Sequence, residues 1–146
     1  MEYRSGKTGR IIVIRFDNDD DLLQGLKHIV QKEGIKAAYF TIFGGLQQAD
    51  VVTGPIEPTI PPVPVWAKID EAREVVGLGS IFLDENDEPR IHLHSALGHH
   101  GQTTTACIRK GTKTYLLLEA YLTEILEINI TRPWFADGQF YRICFS

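Results

Sequence analysis

The sequence predicts an α+β domain with a mostly antiparallel β-sheet and one main helix near the N-terminus. The spacing typical of an amphipathic helix occurs in one segment, whereas short β-branched and aromatic segments recur along the rest of the chain. Clusters of glycine, proline and charged residues separate these segments, which favours antiparallel neighbours. The chain has 146 residues, 43% of them hydrophobic, which is enough for one core, and we predict a single domain over residues 1–146.

The predicted helix follows a first strand at residues 10–16. Its apolar residues recur at helical spacing at Leu22, Leu23, Leu26, Ile29 and Val30. Residues 18–20 supply side-chain oxygens for the N-terminal cap, and Gly34 suits the C-terminal end. The acidic run at residues 17–21 is therefore interpreted as a helix cap rather than as a calcium-binding loop.

The other predicted strands are β-branched or aromatic segments between turn signals. They cover residues 35–43, 46–53, 65–83, 90–97, 115–121, 124–131 and 139–145. Residues 65–83 are expected to form one or two strands with a break near Gly77 and Gly79. Gly44-Gly45 is interpreted as a turn or bulge that lets two backbones approach, and residues 54–64 as an extended proline-rich loop.

The charge and the first residues of the sequence bear on compartment and partners. The formal net charge of −4 argues against binding of nucleic acid through bulk electrostatics. Residues 1–10 lack the apolar centre of a secretory signal, and no apolar segment approaches membrane-spanning length. We therefore expect a cytoplasmic protein that does not bind membranes, in which Cys107 and Cys144 stay reduced.

The most informative motif is IHLH at residues 91–94. In a β-strand successive side chains point to opposite faces, so His92 and His94 share one face and can hold a metal ion together. Four of the five histidines lie in this short part of the chain. Three further donors follow the pair closely, namely His99, His100 and Cys107. Spacing alone leaves the third ligand open among these three residues.

The order of motifs resembles a known family, the PPC (Plants and Prokaryotes Conserved) domain. The resemblance begins with the strand RIIVIRF before the capped helix and continues with GIKAAYFTIFGGLQQADV and EVVGLGSIFL. It then includes PRIHLHSAL, which is its most specific element, and TYLLLEAY, the strand that contains Glu119. It extends from Gly9 to about Ile130 and thus covers nearly the whole chain.

The resemblance implies a mostly antiparallel α+β fold, a homotrimer and contacts with protein partners. In plants, the domain accompanies AT-hook motifs in nuclear proteins and contacts transcription factors. This chain has no arginine-glycine-arginine-proline core of an AT-hook, so direct DNA binding does not carry over. The aromatic residues Trp66, Trp134 and Phe135 are expected in the core or at a subunit interface, not in a binding cage.

The resemblance also bears on the third metal ligand. Family members usually have glycine-glycine-histidine-leucine after the histidine-bearing strand, where this chain has Thr-Ala-Cys-Ile at residues 105–108. The alignment implies His92, His94 and Cys107 as ligands, with His99 and His100 as alternates. A thiolate can replace an imidazole on zinc, which we expect here, and other divalent transition metals suit the same donors.

We predict that the chain is a metal-binding trimeric domain that acts as an assembly or interaction module. One alternative is a zinc-dependent hydrolase with an open coordination position, in which Glu119 is the candidate general base. The other is a DNA-associated transcriptional regulator, an analogy that rests on the plant proteins alone. A serine hydrolase is excluded, because Ser95 and His94 are adjacent in a strand and point to opposite faces.

Overall fold

The computed structural model describes residues 1–145 and confirms the α+β class. Within these residues it contains one α-helix, α1 (Leu22–Lys32). Six longer strands are β1 (Lys7–Asp17), β2 (Ala37–Pro55), β3 (Pro64–Ile69), β4 (Arg73–Leu83), β5 (Pro89–His99) and β6 (Gln102–Leu126). Four strands of two residues each follow, β7 (Ile130–Thr131), β8 (Trp134–Phe135), β9 (Phe140–Tyr141) and β10 (Cys144–Phe145).

The longer strands form one antiparallel sheet in the order β1-β6-β5-β4-β2-β3. β2 also pairs with β6, so that β6, β5, β4 and β2 form a closed ring. The length of β6 allows this closure, because its first residues pair with β5 and its later residues pair with β2 and β1. Two small ribbons, β7 with β10 and β8 with β9, complete the fold.

α1 begins and ends at residues that suit a helix terminus. The Asp21 carboxylate accepts hydrogen bonds from the backbone N–H groups of Leu23 (3.0 Å) and Gln24 (3.1 Å), so Asp21 is the N-cap. The cap lies one residue beyond the predicted residues 18–20, whose side chains bond to other parts of the chain. Gly34, with a φ of 64°, ends the helix as predicted. No helix within residues 1–145 has the length and apolarity needed to span a bilayer.

The core lies between α1 and the inner face of the sheet. α1 contacts β5 and β6 and buries Leu22 and Leu26 completely. Large apolar side chains of the sheet are also fully buried, namely Phe40, Ile42, Leu93, Leu97, Leu118 and Leu122. Most of the free energy that the fold gains from apolar burial therefore comes from this face.

Two pairs of glycines lie inside strands. Gly44-Gly45 sits within β2 at a register shift against β6, as the bulge interpretation predicts, and a side chain at Gly44 would meet the β6 backbone. The predicted break near Gly77 and Gly79 is wrong, because both residues lie within β4 and the chain leaves the sheet at residues 70–72 instead. These two glycines leave room for buried side chains of β2.

In the C-terminal third of the chain, one long strand replaces the separate strands that the sequence predicts. Residues 115–121 and the first three residues of the predicted strand 124–131 belong to the single strand β6, which begins much earlier, at Gln102. The last two residues of that predicted strand form β7. The bulges that bend β6 interrupt its apolar pattern, so the sequence indicates separate strands where the structure has one. The predicted strand at residues 139–145 consists of the short strands β9 and β10.

Candidate metal centre

β5 presents two histidines side by side on the outer face of the sheet. Alternation along the strand leaves His92 and His94 exposed, whereas Leu93 and Ser95 point into the core and are buried. The Nε2 atoms of the two imidazoles lie 2.9 Å apart. The structure thus has the shared orientation that the alternation predicts, and Ser95 faces away from His94.

Cys107 reaches the same place from the neighbouring strand. β5 and β6 are antiparallel, and Cys107 is the register partner of His94. One donor atom each from His92, His94 and Cys107 lies within 4.8 Å of the other two. Cys107 is buried and, like Cys144, is a free thiol. Two adjacent strands therefore bring two imidazoles and one thiol to a single point.

The donor set fits a tetrahedral metal ion. Zinc bonds imidazole nitrogen at about 2.0–2.1 Å and thiolate sulfur at about 2.3 Å, which separates two nitrogens by roughly 3.3 Å and nitrogen from sulfur by roughly 3.6 Å. The observed nitrogen–nitrogen distance of 2.9 Å is close to this value, and every donor pair lies within 4.8 Å. The three donors are thus close enough to serve one tetrahedral ion, which would leave the fourth position open.

The surroundings set the protonation of the donors. Partial desolvation, followed by the positive charge of the nearby Arg132, lowers the pKa of His92 to about 4. The imidazole is therefore neutral at pH 7, which is the form that binds metal. Burial raises the pKa of the Cys107 thiol, and the charge of Arg109 and a hydrogen bond from the Leu93 N–H act in the opposite direction. A bound metal would displace the thiol proton.

The structure does not bring the alternate ligands to this point. His99 lies at the end of β5, where its Nδ1 is 3.1 Å from the carbonyl oxygen of Ala72 and its Nε2 is 3.4 Å from Glu71. His100 is exposed in the turn that joins β5 to β6. The donor group found among residues 1–145 includes neither of them.

Glu119 lies on a different part of the outer face. Its register partner in β2 is Phe43, whereas Cys107 faces His94 of β5 from an earlier part of the same strand β6. The Oε2 of Glu119 accepts a hydrogen bond of 2.8 Å from the Tyr121 hydroxyl. The donor group found within residues 1–145 contains no carboxylate, so the structure does not bring Glu119 to it.

A cavity of about 740 Å³ lies beside the donor group, and its walls include His92. Four of its other lining residues are Trp66, Arg109, Arg132 and Trp134. Trp66 is 54% and Trp134 is 49% exposed, so neither lies in the core, and a position at a subunit interface remains a prediction. The sequence does not predict this cavity, because its lining residues come from segments that lie far apart in the chain. The one local signal is the Arg-Pro-Trp sequence at residues 132–134, which contributes Arg132 and Trp134 to the lining.

Fold and donor group together define a small, mostly antiparallel α+β domain with a His-His-Cys cluster on its outer sheet face. The sequence model of the Plants and Prokaryotes Conserved (PCC) domain matches residues 3–126. The chain belongs to this family, which is the PPC family that its motifs resemble. No curated protein sequence matches the chain at a significant level.

Solved structures share the fold at low sequence identity. A metal-containing protein from Archaeoglobus fulgidus is 17% identical with a TM-score of 0.84, and the match covers 99% of each chain. A plant- and prokaryote-conserved protein from Pyrococcus horikoshii is 22% identical with a TM-score of 0.80, over 97% of this chain and 96% of that one. A protein from Ralstonia eutropha, described as a candidate DNA-binding protein, is 17% identical with a TM-score of 0.72, over 92% and 90%. At these identities the likeness shows the fold alone.

Proposed function

We propose that the chain is a metal-binding, self-associating PPC domain that acts as an assembly or interaction module. The observation that carries this proposal is the convergence of His92, His94 and Cys107, whose donor atoms lie within 4.8 Å of one another. Strand register produces this group, since Cys107 faces His94 across two paired strands. The Archaeoglobus fulgidus protein of the same fold is described as metal-containing, which supports a metal ion in this architecture.

Zinc is the metal that we propose for this site. Two imidazoles and one thiolate form a borderline-to-soft donor set that zinc binds with tetrahedral geometry. Assembly is favoured over hydrolysis, because no Asp or Glu of residues 1–145 joins the donor group and Glu119 bonds to Tyr121 instead. The free thiols of Cys107 and Cys144 suit a reducing compartment, which supports the cytoplasm as the location.

Elemental analysis of protein purified from zinc-supplemented cells tests the metal site. We expect about one zinc ion per chain in the natural protein and little in His92→Ala or Cys107→Ala. His28→Ala is the matched control, because His28 is exposed on α1, and it should keep the metal. Natural protein without metal, or stoichiometric metal in both ligand variants, would overturn the proposal.

The outer face of the sheet supports self-association. Large apolar side chains are exposed there on neighbouring strands, namely Ile11, Val13, Tyr39, Phe43, Val76 and Leu78, which we term the apolar outer face. Leu78 is 69% exposed and is the register partner of His94, so the apolar outer face adjoins the donor group. Contiguous exposed apolar surface of this kind marks interaction sites. We propose that three copies of the chain pack through it, as the family resemblance implies.

Light scattering after size-exclusion chromatography tests this assembly. We expect a mass three times the 16.4 kDa of the chain for the natural protein. Leu78→Asp should lower the mass, because it places a charge within the apolar outer face. Ile56→Asp is the matched control, since Ile56 is 66% exposed but lies in the loop before β3. A monomeric natural protein, or an unchanged mass in Leu78→Asp, would contradict the proposed interface.

A further inference from the structure

The cavity beside the metal centre has features that the metal centre does not require. Its volume of about 740 Å³ falls within the range of sites for small organic molecules. Its walls come from α1, β3, β5, β6 and the segment that follows β7, and they include His92. Of the three proposed metal ligands only His92 lines this space, so the remaining lining needs its own explanation.

Cationic side chains dominate the polar lining of the cavity. Five of them line it, namely Lys27, Arg90, Arg109, Lys110 and Arg132. Two of these cations have acidic partners. A guanidinium nitrogen of Arg90 lies 2.6 Å from a carboxylate oxygen of Asp84, and the Nζ of Lys110 lies 3.9 Å from a carboxylate oxygen of Asp50. The other three make no salt bridge with any carboxylate of residues 1–145.

The unpaired cations leave the cavity positive although the whole chain is acidic. Its single acidic lining residue is Asp21, whose carboxylate already accepts the N-cap hydrogen bonds and one from the Thr112 hydroxyl. The described lining therefore has an excess of two positive charges, because three cations without a salt bridge face one carboxylate. The cations are Lys27, Arg109 and Arg132, and the carboxylate is that of Asp21. The chain carries a formal net charge of −4, so this concentration of positive charge is local.

Arg132 shows the strongest need for an anion. The residue is only 3% exposed, and its guanidinium donates to the carbonyl oxygens of Ser80 (3.2 Å) and Arg90 (3.1 Å) and to the Ser80 hydroxyl (2.9 Å). These neutral acceptors fix its position without neutralising its charge, and burial lowers the pKa of Arg132 to about 10. Buried charges are ordinarily paired, so the missing partner of Arg132 is expected from outside the chain.

Exposed aromatic rings form another part of the lining. Trp66 and Trp134 are about half exposed, and the ring of Trp134 packs edge to face against Tyr141 with centroids 5.1 Å apart. The Nζ atom of Lys110 lies 5.9 Å from the centroid of the Trp66 ring, and the exposed remainder of the two tryptophan rings favours stacking with a flat ligand ring. The cavity thus combines two separate recognition elements, a cationic part and an aromatic part.

We propose that this cavity binds a phosphate monoester that carries a flat ring, with the phosphate held by Arg109 and Arg132 and the ring placed against Trp66 or Trp134. The dianionic phosphate matches the excess of two positive charges better than a single carboxylate does. Both arginines lie near the metal edge of the cavity, because Arg132 donates to the carbonyl oxygen of Arg90, two residues before His92, and Arg109 follows Cys107 by two residues in β6. The inference goes beyond the proposed metal site and does not depend on a bound metal ion.

Tryptophan fluorescence measures binding directly, because both tryptophans of the chain line the cavity. The protein is treated with a chelator and titrated at pH 8 with adenosine 5′-monophosphate, which serves as a phosphate monoester with a flat ring. Adenosine and inorganic phosphate are the two comparison probes. We expect a saturable change with the monophosphate and at least about tenfold weaker binding of each comparison probe, because each retains one recognition element.

Arg109→Ala tests the role of the cationic lining. Arg132 supports the backbone of two strands, so its removal risks the fold, whereas Arg109 is exposed. We expect Arg109→Ala to weaken monophosphate binding by about tenfold or more, which is the effect of losing one charged hydrogen bond. Lys113→Ala is the matched control, because Lys113 is an exposed cation of the same strand outside the cavity lining. It should change the dissociation constant less than twofold.

Several results would overturn the proposal. One is the absence of a saturable fluorescence change at millimolar monophosphate. Another is equal affinity for adenosine or inorganic phosphate, since either would remove one of the two recognition elements. Equal losses in Arg109→Ala and Lys113→Ala would show a nonspecific charge effect. Binding that occurs only after zinc is restored would make the phosphate a ligand of the metal rather than of the arginines.

Discussion

The two faces of β5 have opposite environments although their residues alternate along one strand. On the inner face, Leu93 and Leu97 are fully buried beneath α1 and contribute to the core. On the outer face, His92 and His94 are exposed and converge with Cys107 of β6. One strand thus stabilises the fold with one set of side chains and presents candidate metal donors with the other.

Because of this difference, we expect that mutations on the two faces of β5 affect stability and metal binding separately. Inner-face residues contribute through apolar burial, which the unfolded chain lacks. The outer-face donors His92 and His94 are exposed, so we expect that removing one affects metal binding more than folding. Paired substitutions of neighbouring residues on the two faces therefore sharpen or break the comparison.

The largest effect is expected from Leu93→Ala. The substitution removes a fully buried side chain and leaves a cavity in the core, which costs about 2–5 kcal/mol of unfolding free energy. Urea denaturation of metal-free protein measures this loss. The adjacent outer-face variant His94→Ala is the control, and in metal-free protein it should cost less than about 1 kcal/mol. Equal losses in the two variants would break the distinction between the faces.

A smaller effect is expected from Asp84→Asn, at the turn that leads into β5. The buried carboxylate accepts from the N–H groups of Asn86 (2.8 Å) and Glu88 (3.0 Å) and pairs with Arg90. Because hydrogen bonds to a charged group contribute more than neutral ones, the variant should lose about 1.5–3 kcal/mol at pH 7. Chemical denaturation checks this value.

The same variant gives a pH test with a defined sign. Desolvation raises the pKa of Asp84, but the two backbone hydrogen bonds and Arg90 outweigh it, so the net pKa lies below its ordinary value of 3.8. A lowered carboxyl pKa stabilises the fold above the unfolded pKa, and that contribution is lost as the pH falls through the folded pKa. The difference between natural protein and Asp84→Asn should therefore narrow below about pH 3.8. A difference that stays constant with pH would contradict this account.

Gly79→Ala tests how tightly β4 packs beside β5. A methyl group at this position would lie 2.8 Å from the His92 carbonyl oxygen and would also meet the buried ring of Phe40. We expect a loss of about 1–3 kcal/mol from overpacking, measured by thermal denaturation. Gly98→Ala is the control, because the nearest heavy atom there is 3.7 Å away. It should change stability by less than about 0.5 kcal/mol.

The sequence predicts the parts of the fold that local patterns encode. Helix α1 follows from apolar residues at helical spacing, and the outward pairing of His92 and His94 follows from strand alternation. The continuity of β2 and β6 is not predictable in this way, because glycines and bulges interrupt the pattern where long strands bend. Whether a glycine breaks a strand or leaves room for a neighbour depends on tertiary contacts, as Gly79 shows.

The candidate site likewise has one part that the sequence predicts and one part that only the fold reveals. Spacing indicates the two histidines, and the family resemblance adds Cys107, which the structure brings to them through strand register. The cavity beside them escapes sequence reasoning, because Lys27, Trp66 and Arg132 lie far apart in the chain. A buried arginine without a carboxylate partner becomes visible only when the fold is known.

The most direct test of the metal centre is the absorption spectrum of the cobalt-substituted protein. Cobalt(II) is a stand-in for zinc, and a thiolate ligand gives it a charge-transfer band in the near ultraviolet. We predict this band in the natural protein and in Cys144→Ser, and its loss in Cys107→Ser, with all three proteins folded. Absence of the band in the natural protein, or its persistence in Cys107→Ser, would contradict the His92-His94-Cys107 site.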